Sequence, residues 1–297
     1  MPNMRVGVVD VGANTLRLLV ADVGADGVAA VTTDRVQLGL GEDIEDRGAI
    51  SRARLAAARR VARKHAATAR RLGCSRVIVV VTSPGRQAAN ADELLEALAG
   101  IRGATVRVLS AEEEGTFAYR GALAGIDDLP EIVAVCDVGG GSTQLVVGSR
   151  EQGPAWARSI DVGSLRLTRR ALPADPPTEA AIDDARRLVA PLFAALAPPL
   201  PHAAFATGGS ARALAKVVGR QRGPEELAVG LRIASERPSR RLAKTFDLSD
   251  GRARTLAAGA LLLSSAQSLL GVPLDVARGG LREGVALSLV EEIVVAA

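Results

Sequence analysis

Aromatic side chains are scarce in this sequence. They make up 2% of the chain, with one Trp, one Tyr and four Phe, whereas hydrophobic residues of all kinds make up 48%. The cores must therefore be packed mainly from Ala, Val and Leu. Proteins that hold single-stranded nucleic acids stack the bases on aromatic rings, and the chain has no zinc-finger or helix-turn-helix signature. We therefore expect no nucleic-acid partner.

Cysteines and long apolar runs are also few. The two cysteines, Cys74 and Cys136, lie in or beside strand-like runs, which is typical of free thiols in a core rather than of a disulfide. No apolar stretch reaches the ~18 residues that a membrane span needs, and the N-terminus has no signal-peptide layout. The sequence thus predicts a cytoplasmic protein with no membrane partner.

Acidic residues are outnumbered by basic ones, 33 against 37, so the formal net charge is +4. A basic surface favours anionic partners, and phosphate-rich small molecules or inorganic polyphosphate fit better than nucleic acid. Eight basic residues lie on one predicted helix, Ser51–Leu72, with Ser51 as its N-cap. Two interpretations of this helix stay open: a solvated surface, or a track for a polyanion.

The most informative stretch is Val133–Gly148, V-A-V-C-D-V-G-G-G-S-T-Q-L-V-V-G. Two β-branched runs around a glycine turn predict a buried β-hairpin. Consecutive glycines let backbone N–H groups surround an anion, and Ser142 and Thr143 add hydroxyl donors. Asp137, at the end of the first strand, is suited to hold a hydrated divalent cation against that anion.

The same pattern occurs at Val6–Val20, V-G-V-V-D-V-G-A-N-T-L-R-L-L-V. A shift of 127 positions pairs seven of fifteen residues identically, including Asp10 with Asp137 and Gly12 with Gly139. Two copies predict a duplicated α/β domain whose hairpin tips face one phosphate-binding cleft. We place the domains at residues 1–125 and 131–297, with the last helix able to pack back at the interdomain cleft.

Other local patterns predict where the remaining elements lie. Arg76–Val81 is a continuous apolar run typical of a central strand, and it delivers Thr82–Arg86 to the edge of the sheet where ligands bind. Capping boxes are predicted at Asn90 with Glu93 and at Ser110 with Glu113. Residues 39–48 are predicted to form a polar loop.

The duplicated hairpin resembles the actin-like, Hsp70 and sugar-kinase superfold, in which each domain is actin-like or ribonuclease H-like. Within it the chain resembles the exopolyphosphatase/guanosine pentaphosphate phosphohydrolase (Ppx/GppA) family, in a short form. Four further motifs carry the narrower resemblance, in the family's order and spacing: T-S-P-G-R-Q-A-A-N at Thr82–Asn90, L-S-A-E-E-E-G-T-F-A-Y-R-G at Leu109–Gly121, A-T-G-G-S-A-R at Ala206–Arg212 and G-L-R-E-G-V at Gly280–Val285.

The resemblance implies metal-dependent hydrolysis of a terminal phosphoanhydride, with Mg²⁺ or Mn²⁺ at Asp10 and Asp137. Glu114 falls on the family's catalytic-base position, and Arg86 is expected to neutralise charge on the transferred phosphoryl group. The strand-to-helix turn at residues 207–210 has an alternative explanation, since it also suits plain strand–helix packing. The expected phosphate-binding residues are Gly12, Ala13, Asn14, Thr15, Gly139, Gly140, Gly141, Ser142, Thr143, Gly208, Gly209 and Ser210.

The expected activity is exopolyphosphatase, in a homodimer, with guanosine pentaphosphate as the alternative substrate. A phosphotransferase and a non-catalytic nucleotide sensor of the same superfold are further alternatives. Family members often carry an acidic residue where this chain has Arg278, which bears on nucleotide or ion preference. Longer members append a helical region after the L-R-E-G segment, whereas here only Val285–Ala297 follows, so we expect a preference for short polyphosphates.

Overall fold

The computed structural model describes residues 3–25, 27–149, 151–219 and 221–295. The chain divides into two compact units. The first comprises the described residues up to Asp127 together with those from Gly279 onward, and the second is Asp128–Arg278. Within the described part of the chain, no helix is both long enough and apolar enough to cross a membrane.

The first unit is built on a five-stranded sheet. Its strands are β1 (Met4–Val11), β2 (Thr15–Gly24), β3 (Gly27–Gln37), β4 (Arg76–Val81) and β5 (Thr105–Val108), in the order β3-β2-β1-β4-β5. The first three strands pair antiparallel, and β1, β4 and β5 pair parallel. Val-rich β1 and β4 are buried because they occupy the middle of the sheet, as the continuous apolar run predicted.

The helices of this unit include one that the sequence analysis did not expect. They are α1 (Leu40–Arg47), α2 (Arg52–Arg71), α3 (Pro84–Gln87), α4 (Ala91–Ala99) and α5 (Ala111–Leu123). The predicted loop at residues 39–48 is wrong, because α1 forms there with Leu40 and Ile44 buried on one face. The buried carboxylate of Asp43 anchors α1 by accepting a hydrogen bond of 2.8 Å from the Ser51 amide.

The predicted helix caps have mixed outcomes. Ser51 caps α2, since its hydroxyl accepts a hydrogen bond from the Arg54 amide. Ser110 and Glu113 form the predicted capping box at the start of α5. The box predicted at Asn90 is wrong, because the Asn90 amide oxygen accepts instead from the backbone N–H of Ile50, at 2.8 Å.

The second unit repeats this plan on a six-stranded sheet. Its strands are β6 (Val133–Val138), β7 (Thr143–Ser149), β8 (Gly153–Ile160), β9 (Ala203–Thr207), β10 (Gln221–Arg222) and β11 (Leu274–Val276), in the order β10-β11-β9-β6-β7-β8. As in the first unit, three successive strands pair antiparallel and the first of them pairs parallel with the fourth. The predicted duplication is therefore present in the backbone.

Among the described residues of this unit, seven helices accompany the sheet. They are α6 (Ser164–Ala171), α7 (Glu179–Ala194), α8 (Gly208–Val218), α9 (Pro224–Glu236), α10 (Ser239–Phe246), α11 (Asp250–Arg254) and α12 (Leu256–Leu270). Helix α12 is apolar on nearly all sides and lies in the core, which is built largely from Ala, Val and Leu as predicted. Cys74 and Cys136 are both free thiols, also as predicted.

The last helix, α13 (Leu281–Val295), corrects the predicted domain boundary. It belongs to the first unit, whereas we had placed residues 131–297 together. Its residues Val285 and Leu289 join a core cluster with Val6 and Val8 of β1. The sheet of the first unit has two apolar faces, α2 packs against one, and α13 helps to cover the other.

Candidate functional site

The site in the first unit starts at the β1–β2 hairpin. Asp10 lies at the end of β1 and is 9% exposed. Burial raises the pKa of its carboxyl group, while the positive charges of Arg17 and Arg282 act in the opposite direction. A buried carboxylate of this kind is stabilised by cations, so the hairpin end is suited to a hard metal ion or its hydration shell.

The backbone of this hairpin tip is held by its own hydrogen bonds. The amide of Gly12 donates to the carbonyl of Thr15 at 3.1 Å, so the predicted use of that amide for phosphate is not supported. The carbonyls of Ala13 and Asn14 accept from Gly41 and Gly39 at the start of α1. These bonds fix the conformation of the tip before any ligand arrives.

Two side chains in the tip bear on ligand binding. Asn14 is 7% exposed, and its amide oxygen has no hydrogen-bond partner among the described residues. The hydroxyl of Thr15 accepts a hydrogen bond of 3.0 Å from the Arg17 guanidinium. Arg17 lies directly opposite Asp10 in the hairpin register, so the tip holds one buried carboxylate beside one cation.

The two residues expected to do the chemistry are in direct contact. One guanidinium nitrogen of Arg86 donates to Oε2 of Glu114 at 2.7 Å, and the other donates to the carbonyl of Leu109 at 2.7 Å. Arg86 is on α3, which follows β4, and Glu114 is in the first turn of α5, which follows β5. The Glu114 side chain is buried.

Glu113, next to Glu114, has a different role. Its carboxylate accepts from the Ser110 amide at 2.8 Å and pairs with Arg107 on the exposed side of the helix. Because the capping box fixes the first turn of α5, it also fixes the direction in which Glu114 leaves the helix. The two adjacent glutamates therefore differ in role: Glu113 stabilises the start of α5, and Glu114 is the buried carboxylate that contacts Arg86.

In the second unit, the glycine loop after β6 is tied to α6. The amide of Gly139 donates to the carbonyl of Ser142 at 3.0 Å, which closes the hairpin and removes that amide from the predicted phosphate donors. The carbonyls of Gly139 and Gly140 accept from the first amides of α6. The first amides of α6 therefore donate to the carbonyls of this loop and are not available to a ligand.

Of the two predicted hydroxyl donors, one is committed to the fold. Thr143 is fully buried and its hydroxyl donates to the carbonyl of Val162 at 2.7 Å, so its predicted role as a phosphate donor is corrected. The hydroxyl of Ser142 accepts from the Gln144 amide at 2.9 Å, which leaves its own proton available for donation. Ser142 stays a predicted phosphate ligand.

Asp137 and the start of α8 lie against each other. A Cβ built on Gly208 would lie 2.4 Å from Oδ1 of Asp137, and Gly208 has a φ of +85°. Only glycine meets both conditions without strain. The first turn of α8 thus brings its amides and its positive dipole end to a carboxylate, beside Gly209 and Ser210.

The side chain of Ser210 is turned into the unit. It is 3% exposed, lies against Gly259 of α12, and its hydroxyl accepts from the guanidinium of Arg252 at 3.4 Å. The predicted role of Ser210, donation from its backbone amide to a phosphate, does not involve this side chain and stays a prediction.

Three arginines near these groups were not predicted. Arg17 was within reach of sequence reasoning, because counting along the hairpin places it opposite Asp10. Arg282 lies in the G-L-R-E-G segment, and its guanidinium donates to the carbonyl of Leu18. Arg252 is buried behind Ser210, and no sequence signal pointed to it.

Comparison with known proteins decides the family. A family model described as the Ppx/GppA phosphatase family matches residues 19–293. The chain belongs to the Ppx/GppA phosphatase family. This confirms the predicted resemblance, and the sheet topology confirms the predicted fold of two duplicated α/β units of actin-like type.

Among the relatives of this Ppx/GppA protein, Exopolyphosphatase 2 of Mycobacterium tuberculosis (strain CDC 1551 / Oshkosh) is 34% identical over 195 residues. That match covers 62% of this chain and 60% of the relative, so less than two thirds of the relative is matched. Exopolyphosphatase 1 of Mycobacterium bovis is 28% identical over 302 residues, covering 96% of this chain and 88% of the relative.

Two solved structures are similar over nearly the whole chain. A Ppx/GppA family member from Aquifex aeolicus has a TM-score of 0.82 and 26% identity, covering 98% of this chain and 99% of that one. An exopolyphosphatase from Cytophaga hutchinsonii has a TM-score of 0.86 and 20% identity, covering 97% and 98%. The second supports the fold alone.

Proposed function

We propose that this protein is an exopolyphosphatase, a phosphoanhydride hydrolase that releases orthophosphate from the end of inorganic polyphosphate. The observation that carries the proposal is the Arg86–Glu114 pair, with a 2.7 Å hydrogen bond between half-buried Arg86 and buried Glu114, in the same unit as the Asp10 hairpin. A water-directing carboxylate beside a phosphate-binding cation is what hydrolysis of an anhydride requires. Family membership and the names of the relatives support the same reaction.

In the proposed reaction, water attacks the terminal phosphorus atom and the bridging P–O bond breaks. Glu114 orients the water and takes one of its protons, and the shortened polyphosphate leaves as an anion. Arg86 moves at least one of its N–H groups from Glu114 to the phosphoryl oxygens, because a guanidinium can serve two oxygens at once.

A divalent cation, Mg²⁺ or Mn²⁺, fits the residues present. No three His, Cys, Asp or Glu side chains cluster in a metal site among the described residues. Mg²⁺ does not need such a cage, since it is commonly held by one or two carboxylates together with substrate phosphates and water. In the first unit, buried Asp10 is suited to hold such an ion together with the Asn14 amide oxygen, which has no partner among the described residues. In the second unit, Asp137 is suited to the same role. The ion would neutralise charge on the phosphates.

The remaining phosphate contacts are assigned to backbone amides. In our proposal, Gly208, Gly209 and Ser210 at the start of α8 hold phosphoryl oxygens, since a helix N-terminus favours anions. In the glycine loop, Gly140, Gly141 and Ser142 add to them. Homodimer formation and a preference for short chains stay predictions, as does a cytoplasmic location, which agrees with the two free thiols.

One assay panel tests the proposal against its alternatives. Phosphate release is measured from inorganic polyphosphates of several lengths, guanosine pentaphosphate and ATP, each with Mg²⁺, with Mn²⁺ and with excess chelator. We expect metal-dependent release from polyphosphate. Faster release from guanosine pentaphosphate would move the assignment to that substrate, and transfer of phosphate to an acceptor without release would indicate a phosphotransferase. Binding without turnover of any substrate would indicate a sensor.

A further inference from the structure

An open groove of about 720 Å³ lies between α2 and α4 in the first unit. The α2 wall contributes Arg52, Arg59, Arg60 and Arg63, and the α4 wall contributes Glu93 and Glu96. Cations therefore outnumber carboxylates by four to two along the groove. None of the site residues described above lines it.

The charges of α2 are not balanced by the helix itself. Its sequence contains eight basic residues and no acidic one. Among the described residues, Arg54 pairs with Glu42 and Asp43, whereas no ion pair is formed by Arg52, Arg59, Arg60 or Arg63. Like charges one turn apart on a helix, such as Arg59 and Arg63, repel each other. An exposed row of this kind is stabilised by an anion that contacts several guanidinium groups at once.

The spacing of the row indicates the form of that anion. Arg52, Arg59 and Arg63 follow one stripe of α2, and Arg70 continues it at the same seven-residue interval. At ~1.5 Å of rise per residue, the stripe from residue 52 to residue 70 is about 27 Å long. A single phosphate would use one end of this stripe, whereas a linear chain of phosphates would use all of it.

One end of the groove lies next to α3, the helix that carries Arg86. Helix α3 packs against α4. At the same end, the amide oxygen and nitrogen of Asn90 hold both backbone groups of Ile50, which precedes α2. The Ala89 amide donates to the Gly48 carbonyl. Both helices thus begin beside α3, with Arg52 at that end of the groove.

We propose that the α2–α4 groove binds inorganic polyphosphate at phosphates remote from the hydrolysed end, so that it acts as a tether for long chains. Such a tether works against the predicted preference for short chains, and the comparison of KM values below separates the two. The inference rests on the proposed exopolyphosphatase function. The groove favours a thin, flexible polyanion over a nucleic-acid duplex, because Glu93 and Glu96 repel a wide anionic surface laid across both walls. Aromatic side chains for stacking bases are absent from its lining.

The test compares two variants with the same loss of charge. The groove variant carries Arg52→Gln, Arg59→Gln and Arg63→Gln. The control variant carries Arg35→Gln, Lys64→Gln and Arg71→Gln, three exposed cations that do not line the groove. We expect the groove variant to raise KM for long polyphosphate by roughly tenfold at low salt, as three exposed charge contacts of ordinary strength would. Its KM for tripolyphosphate should change less than twofold.

Direct binding separates this inference from the proposed function. Long polyphosphate is titrated calorimetrically into the two charge variants and their parent, all with Glu114→Gln to prevent turnover. Weaker binding in the groove variant alone, with a shallower salt dependence, supports the tether even without turnover by the natural enzyme. Equal binding in both variants overturns it and leaves the hydrolase proposal standing. Displacement of polyphosphate by duplex DNA at equal phosphate concentration also overturns it, in favour of a nucleic-acid surface.

Discussion

Arg86 and Glu114 are joined by a hydrogen bond of 2.7 Å between a guanidinium nitrogen and Oε2. Their positions are 28 residues apart in sequence, and each lies just after a parallel strand of the same sheet. Because the carboxyl ends of β4 and β5 lie at the same edge, the two side chains meet there. These two predicted site residues are therefore in direct contact in the structure.

The first prediction separates the two neighbouring glutamates. Glu114→Gln keeps the shape of the side chain and removes the base, so kcat for polyphosphate hydrolysis should fall by ~10²–10⁴-fold while substrate binding persists. Glu113→Gln is the matched control, since that carboxylate caps α5 and pairs with Arg107. It should lower the melting temperature slightly and keep most of the activity. Equal losses of kcat in the two variants would contradict the assignment of the base.

The second prediction concerns the metal. Phosphate release should stop in excess chelator and return when Mg²⁺ is added. Asp137→Asn removes one carboxylate charge, so the Mg²⁺ concentration that gives half-maximal activity should rise. Asp161→Asn is a suitable control, because its carboxylate is largely exposed and pairs with Arg166. Full activity of the natural protein in excess chelator would rule out the metal scheme.

The hairpins show what local sequence predicts well. Each combines two apolar, β-branched runs with a glycine turn, and the repeat at 127 residues identified both copies. The hydrogen-bond partners of individual side chains could not be predicted in this way. The hydroxyl of Thr143 is used by Val162, 19 residues away, and the amide group of Asn90 is used by Ile50, 40 residues away. A local pattern cannot identify partners that only the fold brings close.

The last helix illustrates the same limit at the level of domains. Its apolar residues predict that one side is buried, but not which sheet buries it. In the structure, a glycine allows the backbone of α5 to approach the start of α13. A Cβ on Gly121 of α5 would lie 2.0 Å from the carbonyl oxygen of Gly280, just before α13, so a larger residue would not fit there. This close approach assigns α13 to the first unit.

The third prediction uses pH and stability. Burial raises the pKa of Asp10 above its unfolded value, so the ionised carboxylate destabilises the fold at neutral pH. That penalty is lost as pH falls through the folded pKa. In excess chelator, Asp10→Asn should therefore melt at a higher temperature than the natural protein at pH 7, with a difference that shrinks under acid conditions.

Asp22 provides the control of opposite sign. A hydrogen bond from Arg5 lowers the pKa of Asp22, so its ionised form contributes stability above the unfolded pKa and loses it as pH falls through the folded one. Asp22→Asn should therefore melt at a lower temperature than the natural protein at pH 7. Melting temperatures of both variants measured from pH 3 to pH 8 check the two signs. An Asp10→Asn variant that is less stable at pH 7 in chelator would contradict the prediction.

The last prediction concerns the contact between Gly208 and Asp137. Gly208 and Gly219 both have positive φ, +85° and +92°. A Cβ on Gly208 would meet Asp137 Oδ1 at 2.4 Å, whereas one on Gly219 would meet no described residue within 4 Å. Gly219 combines its positive φ with a ψ of −175°, a conformation that costs other residues ~1–3 kcal/mol, so Gly219→Ala should lower the free energy of unfolding by about that much and keep its activity. Gly208→Ala also places alanine at positive φ and must in addition displace the carboxylate or the start of α8. It should therefore be less stable than Gly219→Ala in urea unfolding and lose most of its kcat at saturating Mg²⁺. If the two alanine variants match in both measurements, the close packing of Gly208 on Asp137 has no role in the site.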